Sequence, residues 1–259
     1  MARATVDLIR RRWELVRALM ARDLALRYKG SLVGVLWSLA HPLVLGAVYT
    51  IAFQFIIRIE VPHYPLFVLA ALLPWIFVSS SLTTAMGAFT EHGGLIRKVA
   101  FERDALVLAR VGSELVHFVL GFGLVVVPLA AWTVGATPAL GWLPLVAALM
   151  AAQVSGLALA LACWQVLVRD ARHLLGVALQ IWFWLTPVVY MTTLVPAGWR
   201  WMIWANPMTL VADAMRSILI EGHRPGLLVL GGLLLWAAVA QVLGRRVYAR
   251  LRPRLAELV

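Results

Sequence analysis

A single cysteine in 259 residues, Cys163, removes any disulfide framework and any thiolate metal site from consideration. Set in an apolar run, it reads as a small buried hydrophobe. No G-x-x-x-x-G-K-[ST] phosphate loop occurs, so ATP is not bound by that route. The H-E-x-x-H, G-x-S-x-G and paired-cysteine patterns are missing too, and the zinc-hydrolase and elbow-serine chemistries go with them. Acidic side chains are few, 12 against 23 Lys and Arg. Ten-residue stretches of strictly alternating polarity, which a membrane barrel needs, are also lacking.

Apolar residues fill the space left by these absences. They make up 63% of the chain, with a mean hydropathy of +0.89. Soluble domains hold roughly 45–50% apolar residues. The net charge of +11 does not point to nucleic acid, because the basic residues sit at the ends of apolar runs. Six runs are long enough to cross a bilayer core, near 33–57, 65–89, 107–133, 141–168, 174–192 and 226–244. Backbone groups in lipid must bond internally, so the expectation is an all-α membrane protein with six transmembrane helices. It forms one transmembrane domain over 1–259. Pro42, Pro74, Pro128 and Pro187 are expected to kink or break their spans. With the N-terminus inside, nineteen of the 23 Lys and Arg fall on the cytoplasmic side, leaving Arg58, Arg200, Arg216 and Arg224 outside. Both termini are then cytoplasmic. No short h-region precedes a small-residue cleavage site, so the opening does not read as a cleavable signal.

Three segments between the spans carry more specific patterns. Over 5–29, Ile9, Trp13, Val16 and Met20 share one helical face, and Asp7, Arg10, Glu14 and Arg17 share the other. This predicts an amphipathic interface helix, although Arg12, Asp23 and Arg27 intrude on the apolar side. The inside loop 91–104 interleaves Leu95, Ile96, Val99 and Phe101 with Arg97, Lys98, Glu102, Arg103 and Asp104. That mixture suits a short helix docking on a partner better than a solvated turn. The outside segment 193–225 is too apolar for a free loop and too interrupted for a span. Trp199, Trp201 and Trp204 belong at the membrane interface. Asn206–Pro207 marks a turn into a helix on which Asp213 and Arg216, three apart, are placed to pair. Two short re-entrant periplasmic helices between spans five and six are expected here. Polar residues inside spans are few: Glu114, His117, Gln153, Gln165, Gln180 and Ser79–Ser81. Glu114 and His117 are expected to pair with each other or to meet water.

The junction RDLALRYKGSLVGVLWSLAHP, from Arg22 to Pro42, resembles the opening of membrane subunits of polysaccharide-exporting ABC transporters. The matches are Arg22, Asp23, Arg27, Tyr28, Lys29, Ser31, Gly34, Trp37 and Pro42, with Val33 at a usual Leu. LIRKVAFERDALVLA is similar to that family's inside loop, with Glu102 and Val107 at two usual prolines. RDARHLLGVALQIWFWLTPVVY and NPMTLVADAMRSILIEG are similar to its fifth span and outside segment. The resemblance runs through nearly the whole chain in order.

That resemblance implies a homodimer in a bacterial inner membrane, paired with two copies of an ATP-binding subunit. ATP and Mg sit on that subunit, and this chain binds no cofactor and is not itself an enzyme. The cargo is a lipid-linked polysaccharide, above all O-antigen on undecaprenyl diphosphate, with capsule and teichoic acid as alternatives. Arg22, Arg27, Tyr28 and Lys29 would meet the carrier headgroup. Leu95, Ile96, Arg97, Lys98, Val99, Phe101, Glu102 and Arg103 would couple to the ATPase. Trp199, Trp201, Trp204, Asn206, Pro207, Asp213 and Arg216 would form the periplasmic gate. Trp37, Tyr49, Phe53, Trp75, Phe77, Trp182, Trp184 and Tyr190 are the candidate channel aromatics, offering flat faces to a sliding sugar chain. Two other classes stay open. A secondary transporter needs midplane carboxylates. An intramembrane enzyme would draw on Ser79–Ser81, Ser113 and His117.

Overall fold

The computed structural model describes residues 2–28, 34–98 and 101–259, with side chains described at 10, 12–27, 40–98 and 101–259. Among the described residues every regular element is helical. Helix α1 (Ala2–Tyr28) precedes α2 (Gly34–Thr50), whose continuation widens into π-type turns over Ile51–Ile56. Helix α3 (Tyr64–Met86) starts with a proline in its first turn, where the missing N–H has no helical partner to lose. It carries Pro74 inside without ending there. Having no polar face, α3 is enclosed over most of its surface: Tyr64, Leu66, Val68, Leu72, Leu82 and Met86 are all 2% exposed or less.

A short α4 (Gly93–Lys98) leads to α5 (Asp104–Gly121). The ladder then shifts to π geometry over Phe122–Val126 before α6 (Val127–Thr133). Pro128 supplies the reason: lacking an N–H, it leaves the carbonyl four residues earlier without its α-helical donor. Next come α7 (Leu143–Leu167) and α8 (Ala171–Leu185), then α9 (Arg200–Ala205) and α10 (Pro207–Leu219). Helix α11 (Leu227–Leu251) and the short α12 (Leu255–Leu258) end the chain.

Among the described residues four helical stretches are long and apolar enough to cross a membrane: Tyr64–Met86, Asp104–Thr133, Pro138–Leu167 and Leu227–Leu258. The apolar stretch Ala40–Ile56 is shorter. The run expected over 174–192 is helical only to Leu185, where Thr186 turns extended ahead of Pro187. Its 15 residues rise roughly 22 Å, less than a bilayer core of about 30 Å.

Helices α7 and α11 pack most intimately, and glycine is the reason. A Cβ on Gly156 would fall on the backbone of Ala240, and one on Gly244 would fall on the carbonyl of Gly156. Small residues let two backbones touch where the solvent gives no hydrophobic drive. Beside this crossing Gln241 donates to the Ala152 carbonyl at 2.6 Å and to Ser155 Oγ at 2.8 Å.

Candidate functional site

Helix α1 is not simply a surface rod with one greasy side. Val16 and Leu19 are buried, and Met20 rests where Gly112 of α5 leaves room. Trp13, expected on the apolar face toward the membrane interface, is 56% exposed. The charges that spoiled the amphipathic pattern are the ones that hold the helix. Arg12 pairs with Asp104 at 2.5 Å, Asp23 with Arg110 at 3.3 Å, and Arg27 with Glu114 at 2.7 Å. Arg27 uses two N–H groups on Glu114, the second at 3.3 Å. Glu114 therefore takes its partner from α1. The seam continues through Glu91, which accepts from Arg110 and from Arg172 at the start of α8, both at 3.0 Å. Arg22 meets His92 Nε2 at 2.9 Å. Thus the expected headgroup residues Arg22 and Arg27 are engaged yet half-exposed. Lys29 lies outside the described residues, as do the side chains of Tyr28 and Trp37.

The expected partner-docking loop turns its apolar residues onto its own chain. Ile96 is 2% exposed, and Leu95 and Phe101 pack against the core. Arg97 donates to the carbonyl of Val259 at 2.7 Å. Glu102 pairs with Arg252 at 3.0 Å, and Arg103 donates to the Arg252 carbonyl at 2.9 Å. A short amphipathic helix covers its apolar face with the nearest one available, here that of α12. Its outward side is polar, with Arg97 and Lys98 exposed, as is Glu102 beyond its end. Val99 lies outside the described residues.

Several candidate aromatics do come together. Trp75 meets Trp182 and Phe183 edge-on, each at 5.6 Å; Tyr49 stacks on Phe183 at 5.8 Å; and Trp184 meets Phe183 at 5.4 Å. Phe183, the centre of this cluster, was not singled out from the sequence. Its neighbours in the FW repeat were the only signal. Tyr49, Trp75, Phe183 and Trp184 line a groove of about 430 Å³ between α2, α3 and α8, in which His41, Ser79 and Gln180 supply polar groups. Trp75 itself is buried at 7% exposure, whereas Trp184 is 53% exposed. Phe53 packs partly buried in the π-type turns beyond Tyr49. Phe77 belongs elsewhere, packed on Phe118 at 5.5 Å.

A second hub forms where α8 meets α10. Asn206 Oδ1 accepts from the Trp182 indole at 2.9 Å and from the Met208 backbone at 3.0 Å, capping α10 ahead of Pro207. Its amide donates to Thr186 Oγ1 at 2.9 Å and to the Leu185 carbonyl at 3.2 Å. The Tyr190 hydroxyl returns to the Trp184 carbonyl at 2.9 Å. The expected Asp213–Arg216 ion pair does not form. Arg216 turns inward instead, donating to the carbonyls of Val188 at 2.8 Å and Phe67 at 3.3 Å, with its guanidinium 3.4 Å above the Phe67 ring. Two carbonyls and an aromatic face satisfy its planar fork better than one carboxylate a turn away. Burial lowers the Arg216 pKa to about 9, opposed by Asp213 and Tyr64, so it stays a cation at neutral pH. The Asp213 carboxyl is raised, by burial first and then by Glu221, against the pull of Arg216. The Tyr64 hydroxyl completes this corner on the Val189 carbonyl at 2.6 Å. Trp199, Trp201 and Trp204 stay exposed around α9, while α10 is buried along most of its length.

Comparison with known proteins covers nearly all of this architecture. A family model described as ABC-2 type transporter matches residues 14–220. An O-antigen export system permease protein RfbA of Klebsiella pneumoniae is 28% identical over 254 residues, 95% of each chain. Another of that name from the same organism is 26% identical over 254 residues, again 95% of each. A Myxococcus xanthus protein of the same name is 31% identical over 240 residues, 90% of this chain and 92% of its own.

Proposed function

As this chain belongs to the ABC-2 type transporter family, we propose that it is the permease subunit of an O-antigen exporter, moving an undecaprenyl-diphosphate-linked polysaccharide out of the cytoplasm. What carries the reading is similarity over nine-tenths or more of both chains to relatives named for that export. The missing phosphate loop supports a division of labour in which two copies of a separate subunit hydrolyse ATP. In this reading the chain crosses the inner membrane six times, with both termini cytoplasmic. Helix α8 then spans together with the extended residues after it, and α9 and α10 form the re-entrant gate. Two copies pair so that the aromatic groove faces a shared path for sugar. Arg22 and Arg27 receive the carrier diphosphate; a guanidinium has five N–H donors, and Glu114 occupies only two of those on Arg27. The polar outer side of α4, Arg97 and Lys98, meets the ATPase.

The test is surface polysaccharide in a strain lacking the gene. The wild-type chain restores it when expressed with its ATPase partner, whereas Lys98→Glu with Arg97→Glu inserts normally and does not. Full export by that double variant would remove α4 from the ATPase contact. Appreciable ATP turnover by the purified chain alone would overturn the division of labour.

A further inference from the structure

A separate cavity of about 460 Å³ lies between α1, the start of α5, α7 and the last turns of α11. It shares no lining residue with the aromatic groove. Its size falls within the roughly 300–1,000 Å³ of ligand pockets. Val107 and Leu159 give it an apolar wall, and five charged side chains reach it. Four of these are paired: Arg252 with Glu102 at 3.0 Å and Arg12 with Asp104 Oδ2 at 2.5 Å. Arg245 is the fifth, and it meets no carboxylate or hydrogen-bond partner among the described residues.

Two buried polar atoms at the cavity are also unmet. Tyr248, 8% exposed, has a hydroxyl without a partner, and so does the Oδ1 atom of Asp104. Buried polar groups in proteins nearly always have partners, so two orphans on one cavity point to a polar occupant. Their chemistry is specific. Arg245 calls for an anion, the Tyr248 hydroxyl for any hydrogen-bond acceptor, and Asp104 Oδ1 for a donor. A bare phosphate meets the first demand and is repelled by the carboxylate. A phosphate carrying an amine or hydroxyl meets both. Just before Arg245, α11 exposes Leu234, Leu235 and Val242, an apolar flank suited to acyl chains.

We propose that this cavity holds the phosphate head group of a membrane lipid whose head group also carries hydrogen-bond donors. The inference rests on the permease reading only for placing the site at the cytoplasmic leaflet. Such a head group has two sources, a bilayer phospholipid or the sugar diphosphate of a lipid-linked glycan.

Native mass spectrometry of the full-length protein, titrated with phosphatidylethanolamine, phosphatidylcholine or an undecaprenyl-diphosphate-linked sugar, separates them. Wild type should retain phosphatidylethanolamine over phosphatidylcholine, whose head group has no donor. Arg245→Gln and Tyr248→Phe should each cut that retention about tenfold, the loss expected for one charge-assisted bond. Tyr248→Phe keeps the ring that packs on Phe89 at 6.1 Å, so the fold survives. Stronger retention of the lipid-linked sugar, lost in the same variants, supports the site and assigns it to the carrier. Equal retention of the two phospholipids without uptake of the sugar, or variants that keep the wild-type preference, overturns the proposal. Lipid retention is independent of export, so this result and the export assay fail separately.

Discussion

Different chemistry operates toward the two ends of α3. Toward its last turn, the seam joining α1 to α5 is made of ion pairs whose arginines are 25–44% exposed and whose carboxylates are 9–18% exposed. At its start, Arg216 and Tyr64 bond to carbonyls, and Asn206 joins α8 to α10 with neutral hydrogen bonds. The arginine side of each pair keeps water within reach, whereas the carboxylate, once freed, needs a replacement partner. These hydrogen bonds are half-buried and end on uncharged carbonyl, amide and hydroxyl groups, and breaking one leaves its partner short of a bond. The difference is one of charge: salt screens the ion pairs of the seam, and it does not screen the hydrogen bonds at the α8–α10 corner.

Breaking the hub at Asn206 should have the largest effect. Asn206→Leu strands the Trp182 indole N–H and the α10 cap, with an expected loss of about 2–4 kcal/mol in reversible unfolding. A loss under about 1 kcal/mol would erase the contrast between the two ends. Arg216→Met comes next, removing two carbonyl bonds and the contact with Phe67, at about 1.5–3 kcal/mol. On the seam, Glu114→Gln should cost about 1 kcal/mol, since the freed Arg27 can be hydrated. That cost should shrink in high salt while the Asn206 and Arg216 losses do not. Equal salt dependence at both ends would contradict a difference in charge between the seam and the corner. The smallest effect is expected for Arg10→Ala. Its pair with Glu14 lies in water at 78% and 60% exposure, and a change beyond about 0.5 kcal/mol would be unexpected.

Much of the architecture was legible in the sequence because lipid leaves few options. Apolar runs near 20 residues announce helices, and α3, α5–α6, α7 and α11 lie where the runs lie. The cap at Asn206–Pro207 was readable from local rules, as was the burial of Cys163. The pairing of Asp213 with Arg216 was not, since spacing says who is near and not who competes. Arg12, Asp23 and Arg27 show the same limit. On a helical wheel they look misplaced, and only α5 alongside supplies the opposite charges that explain them.

Sequence alone thus determined a helical membrane protein with no phosphate loop, because composition and run length are properties of the chain by itself. The tertiary structure decided which charges are spent on each other, that Phe183 centres the aromatic groove, and that Arg245 and Tyr248 share a cavity. Those facts depend on distances between residues far apart in the chain, and periodicity along one helix carries no information about what packs against it.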